Sequence, residues 1–378
     1  MRQKEYIRYI ADKNYDRFLQ QGYASAGHNG PHGHLDTPAR NTAHYLIIYS
    51  YLYKTTGLEK YKRISDCLAH YLYKLQEQSK SGAVKCMETD RFDHLNGLIG
   101  QGWVIEGLLY YYTVFGVKSA LCVAADIYKA QKYDKDLHLW HRIELDGTDI
   151  GIDPTYNHQV WFAACASKML DYNVVPSLDE EIRDFLNAGT ERDFRIYNDG
   201  MLYHYVNVDN KAIRKAKIKK AIKMCLTPIK SVDPKKFDYK YMERAYHIFD
   251  LYGFSILKEH YGDMPIFSSS EYKKAIDYAS NIKNVNMRCG VYRAINDGDM
   301  FNIFSYSYNS PAFEYPYVAA VNGFENKKVI DDLYDIQIRL MYDKFTKMFT
   351  RNNPDIETWN ARCYELIRYL DLRGDESE

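Results

Sequence analysis

The sequence lacks an excess of charge of either sign, because its 378 residues contain 50 Lys plus Arg and 50 Asp plus Glu. A formal net charge of zero argues against a dedicated nucleic-acid binder and against a polybasic membrane protein. Long apolar runs are missing too, and no window approaches the roughly 18 uncharged apolar residues that a membrane span requires. We therefore predict neither a nucleic-acid partner nor a transmembrane helix.

Signals for export, disulfides and common cofactors are also missing. The first thirty residues carry charges throughout and no apolar core, so a secretory signal peptide is excluded and we expect a cytoplasmic protein. The seven cysteines are widely spaced and never form a CxxC pair, which argues against a disulfide framework or a structural zinc site. No Walker loop, dinucleotide fingerprint, GxSxG or HExxH motif occurs, and we predict no cofactor.

What the sequence does contain is long helical periodicity of two kinds. Residues 59–77 place apolar side chains such as Tyr61, Ile64 and Leu72 on one stripe, with charges opposite. That pattern predicts a surface helix with one buried face. Residues 42–52 and 98–114 are instead apolar on nearly every side, which is typical of helices enclosed by other helices.

The enclosed helices share a spacing that indicates an internal repeat. Each opens with an acid a few residues before an Asn, and the steps between these Asn residues are 55 and 61 residues long. The repeated pairs are Asp36 with Asn41, Asp93 with Asn96, and Asp153 with Asn157. Such a step holds one outer and one inner helix, so the chain has room for about six helical hairpins.

These observations predict an all-α fold, an (α/α)6 toroid formed by residues 1–378 as a single domain. The inner ring is expected to include helices at 41–52, 97–114 and 157–170, with outer helices at 5–20, 59–77 and 117–131. Short β patches, such as 195–206 and 288–294, are expected within loops. In a toroid of this kind the loops before the inner helices meet at one mouth, where we expect Asp36, Asp93 and Asp153 to converge as candidate catalytic acids.

The first candidate segment, residues 27–44, holds four His, one Asp, one Arg and two Asn. As a substrate loop it would use Arg40 to bind a carboxylate or phosphate, with Asn41 and His44 one helical turn apart on the same face. As a metal site it would use His32 and His34 with Asp36. No matching second group of ligands is evident, so we predict no bound metal.

The second candidate segment, residues 90–106, combines acids with three glycines and a tryptophan. Asp93 is a candidate catalytic acid, and Asn96, Gln101 and Trp103 are candidates for holding a sugar ring by hydrogen bonds and stacking. The glycines are costly inside a helix and indicate close approach by a ligand or by another helix. Tight helix packing alone is the alternative explanation.

The third candidate segment, residues 140–161, contains four acids, two His and two Trp. Asp153 before Pro154 also fits the capping pattern of an ordinary helix start, so capping is an alternative to catalysis. Capping does not explain the adjoining cluster of candidate substrate ligands, which is Tyr156, His158, Gln159 and Trp161.

Two further features suggest ligand binding less directly. A basic run at 211–240 could hold an anionic polymer, although a solvated helix accounts for it more simply. Tyr306, Tyr308, Tyr315 and Tyr317 bracket the start of another inner helix and are typical of a sugar platform.

Short motifs resemble carbohydrate-active families. Asp93, Asn96 and the run Gly100 to Trp103 are similar to the Gly-Gln-Ala-Trp inner-helix signature of unsaturated glucuronyl hydrolases. Residues 41–44 more loosely resemble the Asn-Asn-His patch of heparinase-like and alginate lyases. The resemblance implies an (α/α)6 toroid acting on uronic-acid glycans, as the toroidal sugar 2-epimerases act on sugars in a related way.

Three hypotheses for function follow. The first is a glycoside hydrolase for an acidic oligosaccharide or polysaccharide, in which Asp93 or Asp153 transfers a proton because burial and neighbouring acids raise its pKa. The second is a lyase or uronate epimerase in which Tyr156 or His158 removes the C5 proton. The third is a non-catalytic helical scaffold that binds a protein partner. The sequence leaves the sugar and the oligomeric state open.

Overall fold

The computed structural model describes residues 3–28, 33–88, 93–208, 239–281, 284, 308–353 and 355–374. These residues form two concentric layers of helices. The inner helices are α2 (Ala39–Thr56), α4 (Gly97–Phe115), α6 (Tyr156–Ser167), α9 (Tyr239–Tyr261), α12 (Pro311–Val321) and the pair α14 (Ile356–Ala361) and α15 (Glu365–Arg373). The outer helices are α1 (Gln3–Gln21), α3 (Glu59–Glu77), α5 (Lys118–Lys129), α7 (Leu178–Asp184), α11 (Ser270–Ser280) and α13 (Lys327–Met341). Short helices α8 (Thr190–Asp193) and α10 (Pro265–Ser268) lie between them.

The inner helices form a closed ring. Helix α2 packs on α4, α4 on α6, α6 on α9, α9 on α12 and α12 on α15, while α14 and α15 return to α2. This closure confirms the (α/α)6 toroid predicted from the sequence. The three enclosed helices identified by their periodicity are consecutive members of the ring.

Helix α4 shows why enclosed helices can be apolar on every side. It lies between α2 and α6, and its residues are buried from Gly97 to Leu109. A Cβ atom added to Gly107 would lie 2.7 Å from the carbonyl oxygen of Ala43, and one added to Gly102 would lie 3.3 Å from that of Trp161. These glycines allow close approach of neighbouring backbones, as the alternative based on tight packing predicts.

Helix α3 shows the outer type. Tyr61, Ile64, Leu68 and Leu72 are buried along one face, as the apolar stripe predicts. The predicted outer helices at 5–20 and 117–131 correspond to α1 and α5, which also bury only one side.

The strands lie at positions other than the predicted β patches. An antiparallel sheet joins β1 (Tyr133–Asp134), β2 (Leu139–Ile143) and β3 (Asp149–Ile152), and β4 (Tyr342–Asp343) pairs with β5 (Met348–Phe349). Residues 195–206 form only isolated bridges, and 288–294 lie outside the described residues. The first sheet escaped prediction because its polar residues are typical of a loop, yet it carries part of the candidate site.

Across the described segments, no helix has a stretch both long and apolar enough to cross a lipid bilayer. Even α4, which is strongly apolar, carries the buried Glu106. The Glu106 carboxylate accepts hydrogen bonds from Arg368, with its Oε1 atom 2.9 Å from Nε. A buried ion pair therefore joins α4 to α15.

Candidate active site

A cavity of about 290 Å³ opens where inner-helix N-terminal ends and the loops before them meet. The loop before α4 and the first residues of α4 and α6 form one side, and β2 and the 204–205 loop lie beside them. Side chains of α9 and of the turns before α12 and α15 close the other side. Its polar lining includes Asp93, Asn96, Arg142, Asp153, Asn157, His158, His204 and Arg362.

Asp93 lies at the start of α4, with both carboxylate oxygens engaged. Oδ1 accepts hydrogen bonds from the backbone N–H groups of Leu95 at 3.1 Å and Gly97 at 2.7 Å. Oδ2 accepts one from the Arg142 guanidinium at 2.8 Å. Arg142 comes from β2, so the unexpected sheet supplies the cation that pairs with this carboxylate.

Asp153 engages both of its oxygens in the same way. Oδ2 accepts hydrogen bonds from the Leu98 N–H at 2.9 Å and from Nδ1 of His158 at 2.9 Å, and Oδ1 accepts from the Thr155 N–H at 3.0 Å. Burial by itself would raise the pKa of Asp153, but the opposing effects of His158, Arg142 and the Leu98 N–H lower it below its ordinary value. Asp153 is therefore ionised at neutral pH.

This result corrects one premise of the hydrolase hypothesis. The sequence suggests that burial raises the pKa of an acid at the mouth, whereas the pKa of Asp153 is lowered. The reason is that hydrogen-bond donors and cations surround the buried carboxylate. An ionised Asp153 accepts protons or orients other groups, and it does not donate a proton at neutral pH.

His158 is the titratable ring that Asp153 holds in the cavity wall. Its side chain is 24% exposed, while that of Asp153 is 1% exposed. Since Nδ1 binds Asp153, Nε2 is the ring nitrogen left for a ligand. A carboxylate that orients an imidazole in this way fixes its tautomer, as in catalytic general bases.

Asp93 and Asp153 lie close together because they bind successive backbone amides. Asp93 accepts from Gly97 and Asp153 accepts from Leu98. Gly97 has φ +62°, and a Cβ atom there would clash with Nδ1 of His158 and approach Oδ2 of Asp153 to 2.5 Å. The side chains of His158 and Asp153 therefore fit against the start of α4 only because residue 97 is glycine.

Of the predicted catalytic acids, Asp36 lies apart from this wall and does not line the cavity. Its Oδ2 atom is 3.3 Å from Nη1 of Arg40. Burial raises the pKa of Asp36 to about 6, with Arg40 opposing the rise and Asp355 adding to it. Arg40 is itself buried, and its guanidinium stacks 4.3 Å from the ring centre of Trp103.

Asn41 and His44 also lie behind the cavity wall. Asn41 donates to the carbonyl of Ser25 at 2.8 Å and to the hydroxyl of Thr358 at 3.3 Å. The His44 ring stacks on Tyr364 with centroids 4.0 Å apart. Burial, followed by nearby arginines, lowers the pKa of His44 well below its ordinary value, so this ring is neutral.

The two predicted glutamines hold backbone segments in place and do not line the cavity. Gln101 accepts from the N–H of Val84 and donates to its carbonyl, both at 2.8 Å. Gln159 does the same with Trp140, both at 2.9 Å, and also donates to the carbonyl of Asp153. Gln159 thereby ties β2 to the start of α6.

Two predicted aromatic ligands are core residues. Trp161 stacks on Phe249 and Tyr252 at 4.6 and 5.3 Å and donates its indole N–H to the carbonyl of Phe249. Tyr156 is buried, and burial raises its pKa well above the ordinary value, which removes it as a base near neutral pH. Asn96 and Trp103 do line the cavity, with His158.

Several residues of the opposite wall were not predicted from the sequence. Tyr246 and Phe249 project from the same face of α9, and their spacing of three was a usable signal. His204 and Arg362 carried no pattern that singled them out. Tyr308, by contrast, belongs to the predicted tyrosine platform and lies in the wall, while Tyr306 is outside the described residues.

Metal ligands do not cluster in the described part of the chain, where no group of three His, Cys, Asp or Glu side chains could hold an ion. His32 of the alternative metal site lies outside that part, as do the residues of the basic run up to position 238.

The chain is similar in sequence to a characterised protein and in structure to several solved proteins. No protein-family model matches the chain. The chain is 27% identical over 360 residues to archaeal glycosylation protein Q of Haloferax volcanii, a match covering 93% of this chain and 92% of that protein.

The structural matches share the whole fold. Cellobiose 2-epimerase from Spirochaeta thermophila aligns with a TM-score of 0.60 at 12% identity, covering 97% of this chain and 98% of that one. A heparin-specific unsaturated glucuronyl hydrolase aligns with a TM-score of 0.58 at 13% identity, covering 98% and 97%. The glucuronyl hydrolase of Bacillus sp. GL1 gives 0.59 at 14% identity, covering 98% and 96%. These matches confirm the resemblance to (α/α)6-toroid proteins at the level of fold.

Proposed function

We propose that this protein is a carbohydrate-active enzyme that transfers a proton to or from an acidic saccharide by means of His158. The observation that carries the proposal is the hydrogen bond between His158 and the ionised Asp153 in the cavity wall. Asp153 supplies the orientation and the compensating charge that an imidazole needs as an acid or base. A helical scaffold would not require this pair at the mouth.

A saccharide substrate is supported by the named relatives. The sequence relative is a glycosylation protein, and the structural relatives are named as cellobiose 2-epimerase and glucuronyl hydrolases. An acidic group on the substrate is supported by Arg142, whose side chain is 21% exposed in the cavity and uses Nη1 for Asp93. Guanidinium groups bind carboxylates with directional, charge-assisted hydrogen bonds.

Removal of a carbon-bound proton is the reaction that this arrangement favours. His158 Nε2 takes the proton at C5 of a uronate, and the bonding electrons pass to the adjacent carboxylate, whose negative charge Arg142 stabilises. Return of a proton from water on the other face, with loss of the proton on His158 to solvent, gives the epimer. Expulsion of the substituent at C4, which leaves as an alcohol with the proton from His158, gives an unsaturated uronate instead.

Glycoside hydrolysis is the second candidate, and the adjacent carboxylates of Asp93 and Asp153 favour it. Hydrolysis requires one group to protonate the leaving oxygen and another to assist water. Because Asp153 is ionised and cannot be the acid, His158 would protonate the leaving oxygen and Asp93 would assist water.

A turnover assay separates these reactions. Saturated and unsaturated uronate-containing di- and tetrasaccharides are incubated with the protein in D2O and followed by NMR and ultraviolet absorbance. Deuterium at C5 is expected for epimerisation, and a new absorbance of the conjugated product for elimination. New reducing ends without either signal would show hydrolysis instead. No change in any substrate, together with no binding, would contradict the proposal.

A further inference from the structure

Three side chains of the cavity wall each have a buried polar atom without a hydrogen-bond partner in the described part of the chain. They are Nε1 of Trp103, Nε of Arg362 and Oδ1 of Asn157. The three residues are only 3%, 2% and 2% exposed. Burying such atoms without a partner costs free energy, so a ligand that bonds all three removes that cost.

Arg362 is held so that only one N–H group remains for a ligand. Its Nη1 donates to the carbonyl of Tyr308 at 2.7 Å and to Oδ1 of Asn309 at 3.0 Å. Its Nη2 donates to Glu314 at 2.8 Å and to Glu365 at 2.6 Å. A guanidinium has five N–H groups, so Nε is the donor that is left.

The surroundings of Arg362 also indicate what kind of oxygen it binds. Its guanidinium lies 5.2 Å from the ring centre of Phe249 and 5.7 Å from that of Tyr308, both of which line the cavity. The charge of Arg362 is already balanced by Glu314 and Glu365. A neutral oxygen of a sugar ring, next to aromatic faces, therefore suits this position better than a second carboxylate does.

Asn157 contributes an acceptor to the cavity wall. Its Oδ1 atom is buried and has no hydrogen-bond partner in the described part of the chain. An amide oxygen accepts hydrogen bonds and cannot donate them, so Oδ1 pairs with a donor such as a sugar hydroxyl.

We propose that Arg362, Trp103 and Asn157 form a binding subsite for an uncharged sugar unit next to the uronate. Arg362 Nε and Trp103 Nε1 donate to two sugar oxygens, and Asn157 Oδ1 accepts from a hydroxyl. The inference rests on the proposed function and adds that the substrate is at least a disaccharide. The uronate lies toward Arg142 and His158.

Two tryptophan variants provide the first test, with binding of cellobiouronic acid, a glucuronate joined to glucose, measured by calorimetry. Trp103→Phe keeps the ring but removes an N–H that has no protein partner, so we expect the Kd to rise about 3- to 10-fold without a loss of thermal stability. Trp161→Phe is the matched control. Its N–H bonds to the carbonyl of Phe249, so the variant should lose stability and keep the Kd.

Arg362→Lys tests the second donor. Lysine can still pair with Glu314 and Glu365 but has no donor at the Nε position, so we expect the Kd to rise about 10-fold or more. If Arg362→Lys fails to fold, Trp103→Phe and the variant Asn157→Ala described next still test whether the subsite exists.

Asn157→Ala tests the acceptor. The variant removes Oδ1, so we expect the Kd to rise several-fold. A purely structural role of Asn157 would lower the thermal stability and leave the Kd of the folded protein unchanged.

The outcomes separate the subsite from the function. Tight binding of cellobiouronic acid by the wild type with no change in Trp103→Phe and Arg362→Lys would overturn the subsite alone. Equal binding of cellobiose, with the predicted losses in the variants, would support the subsite and contradict the acidic substrate. No binding of either disaccharide by the wild type would overturn both.

Discussion

The Asp153 carboxylate accepts a hydrogen bond from Nδ1 of His158 over 2.9 Å, across the first turn of α6. The same oxygen also accepts from the Leu98 N–H at the start of α4. One buried carboxylate therefore links the two neighbouring inner helices and sets the orientation of the imidazole in the cavity. The contact between the two helices and the proposed proton transfer therefore both depend on Oδ2 of Asp153.

Replacing His158 should abolish turnover and leave the fold intact. His158→Gln retains a polar side chain of similar size but cannot take up a proton, so kcat should fall at least about 10²-fold. The control is His138→Gln, because Nδ1 of His138 pairs with Asp184 at the same distance, 2.9 Å, and does not line the cavity. Equal activity of the two variants would show that His158 is not the proton-transfer group.

Asp153→Asn should destabilise the protein in a pH-dependent way. The folded protein lowers the pKa of Asp153, so the ionised form stabilises the fold at every pH above the unfolded value of about 4. We expect the variant to lose roughly 2–3 kcal/mol at pH 7. This stabilisation is lost as the pH falls below 4 toward the folded pKa.

Urea unfolding of wild type and Asp153→Asn at pH 7, 5 and 3 measures this difference. The gap in the free energy of unfolding should be constant from pH 7 to 5 and smaller at pH 3. A gap that stays the same at pH 3 would mean that the Asp153 carboxylate is not preferentially ionised in the folded state.

Asp36 should have the opposite dependence on pH. Burial raises its pKa to about 6, so the folded state holds this proton more tightly than the unfolded chain does. The resulting stabilisation is complete below about pH 4 and is lost as the pH rises through 6. Relative to Asp36→Asn, the wild type should therefore become less stable between pH 4 and 7.

Thermal melts of both proteins across that range provide the measurement. The difference in melting temperature between wild type and variant should change in the direction of a less stable wild type as the pH rises. A change in the other direction would mean that the ion pair with Arg40 outweighs the burial of the Asp36 carboxylate.

The fold was predictable because the spacing of the acid and Asn pairs along the chain repeats with the length of two helices. Asp36, Asp93 and Asp153 each precede an enclosed helix, and the period of an inner and an outer helix follows from the Asn steps. The same spacing could not show that the three acids have different surroundings. Asp93 and Asp153 line the cavity, whereas Asp36 is buried beside Arg40.

The site was less predictable because its electrostatics depend on distant partners. Arg142 reaches Asp93 only through the β2–β3 hairpin, and Arg362 joins the wall because the last helix pair closes the ring on α2. Gln101 and Gln159 show the opposite case. Both side chains were predicted to bind a sugar, but they hydrogen-bond to backbone groups instead. Residue type alone does not reveal which partner a polar group has found.

The tight space at Gly97 gives the last prediction. Gly97 and Gly116 both have positive φ, +62° and +69°, so replacement by alanine should cost each a similar backbone strain of about 1 kcal/mol. A Cβ atom at Gly97 would clash with His158 and approach Asp153, whereas one at Gly116 has nothing within 4 Å. Gly97→Ala must therefore displace the proton-transfer pair by a few tenths of an ångström or more, and we expect at least a roughly 10-fold lower kcat. Gly116→Ala should melt at a slightly lower temperature with unchanged kcat on the uronate that the turnover assay identifies. Full activity in Gly97→Ala would mean that turnover does not depend on the position of His158 against Asp153.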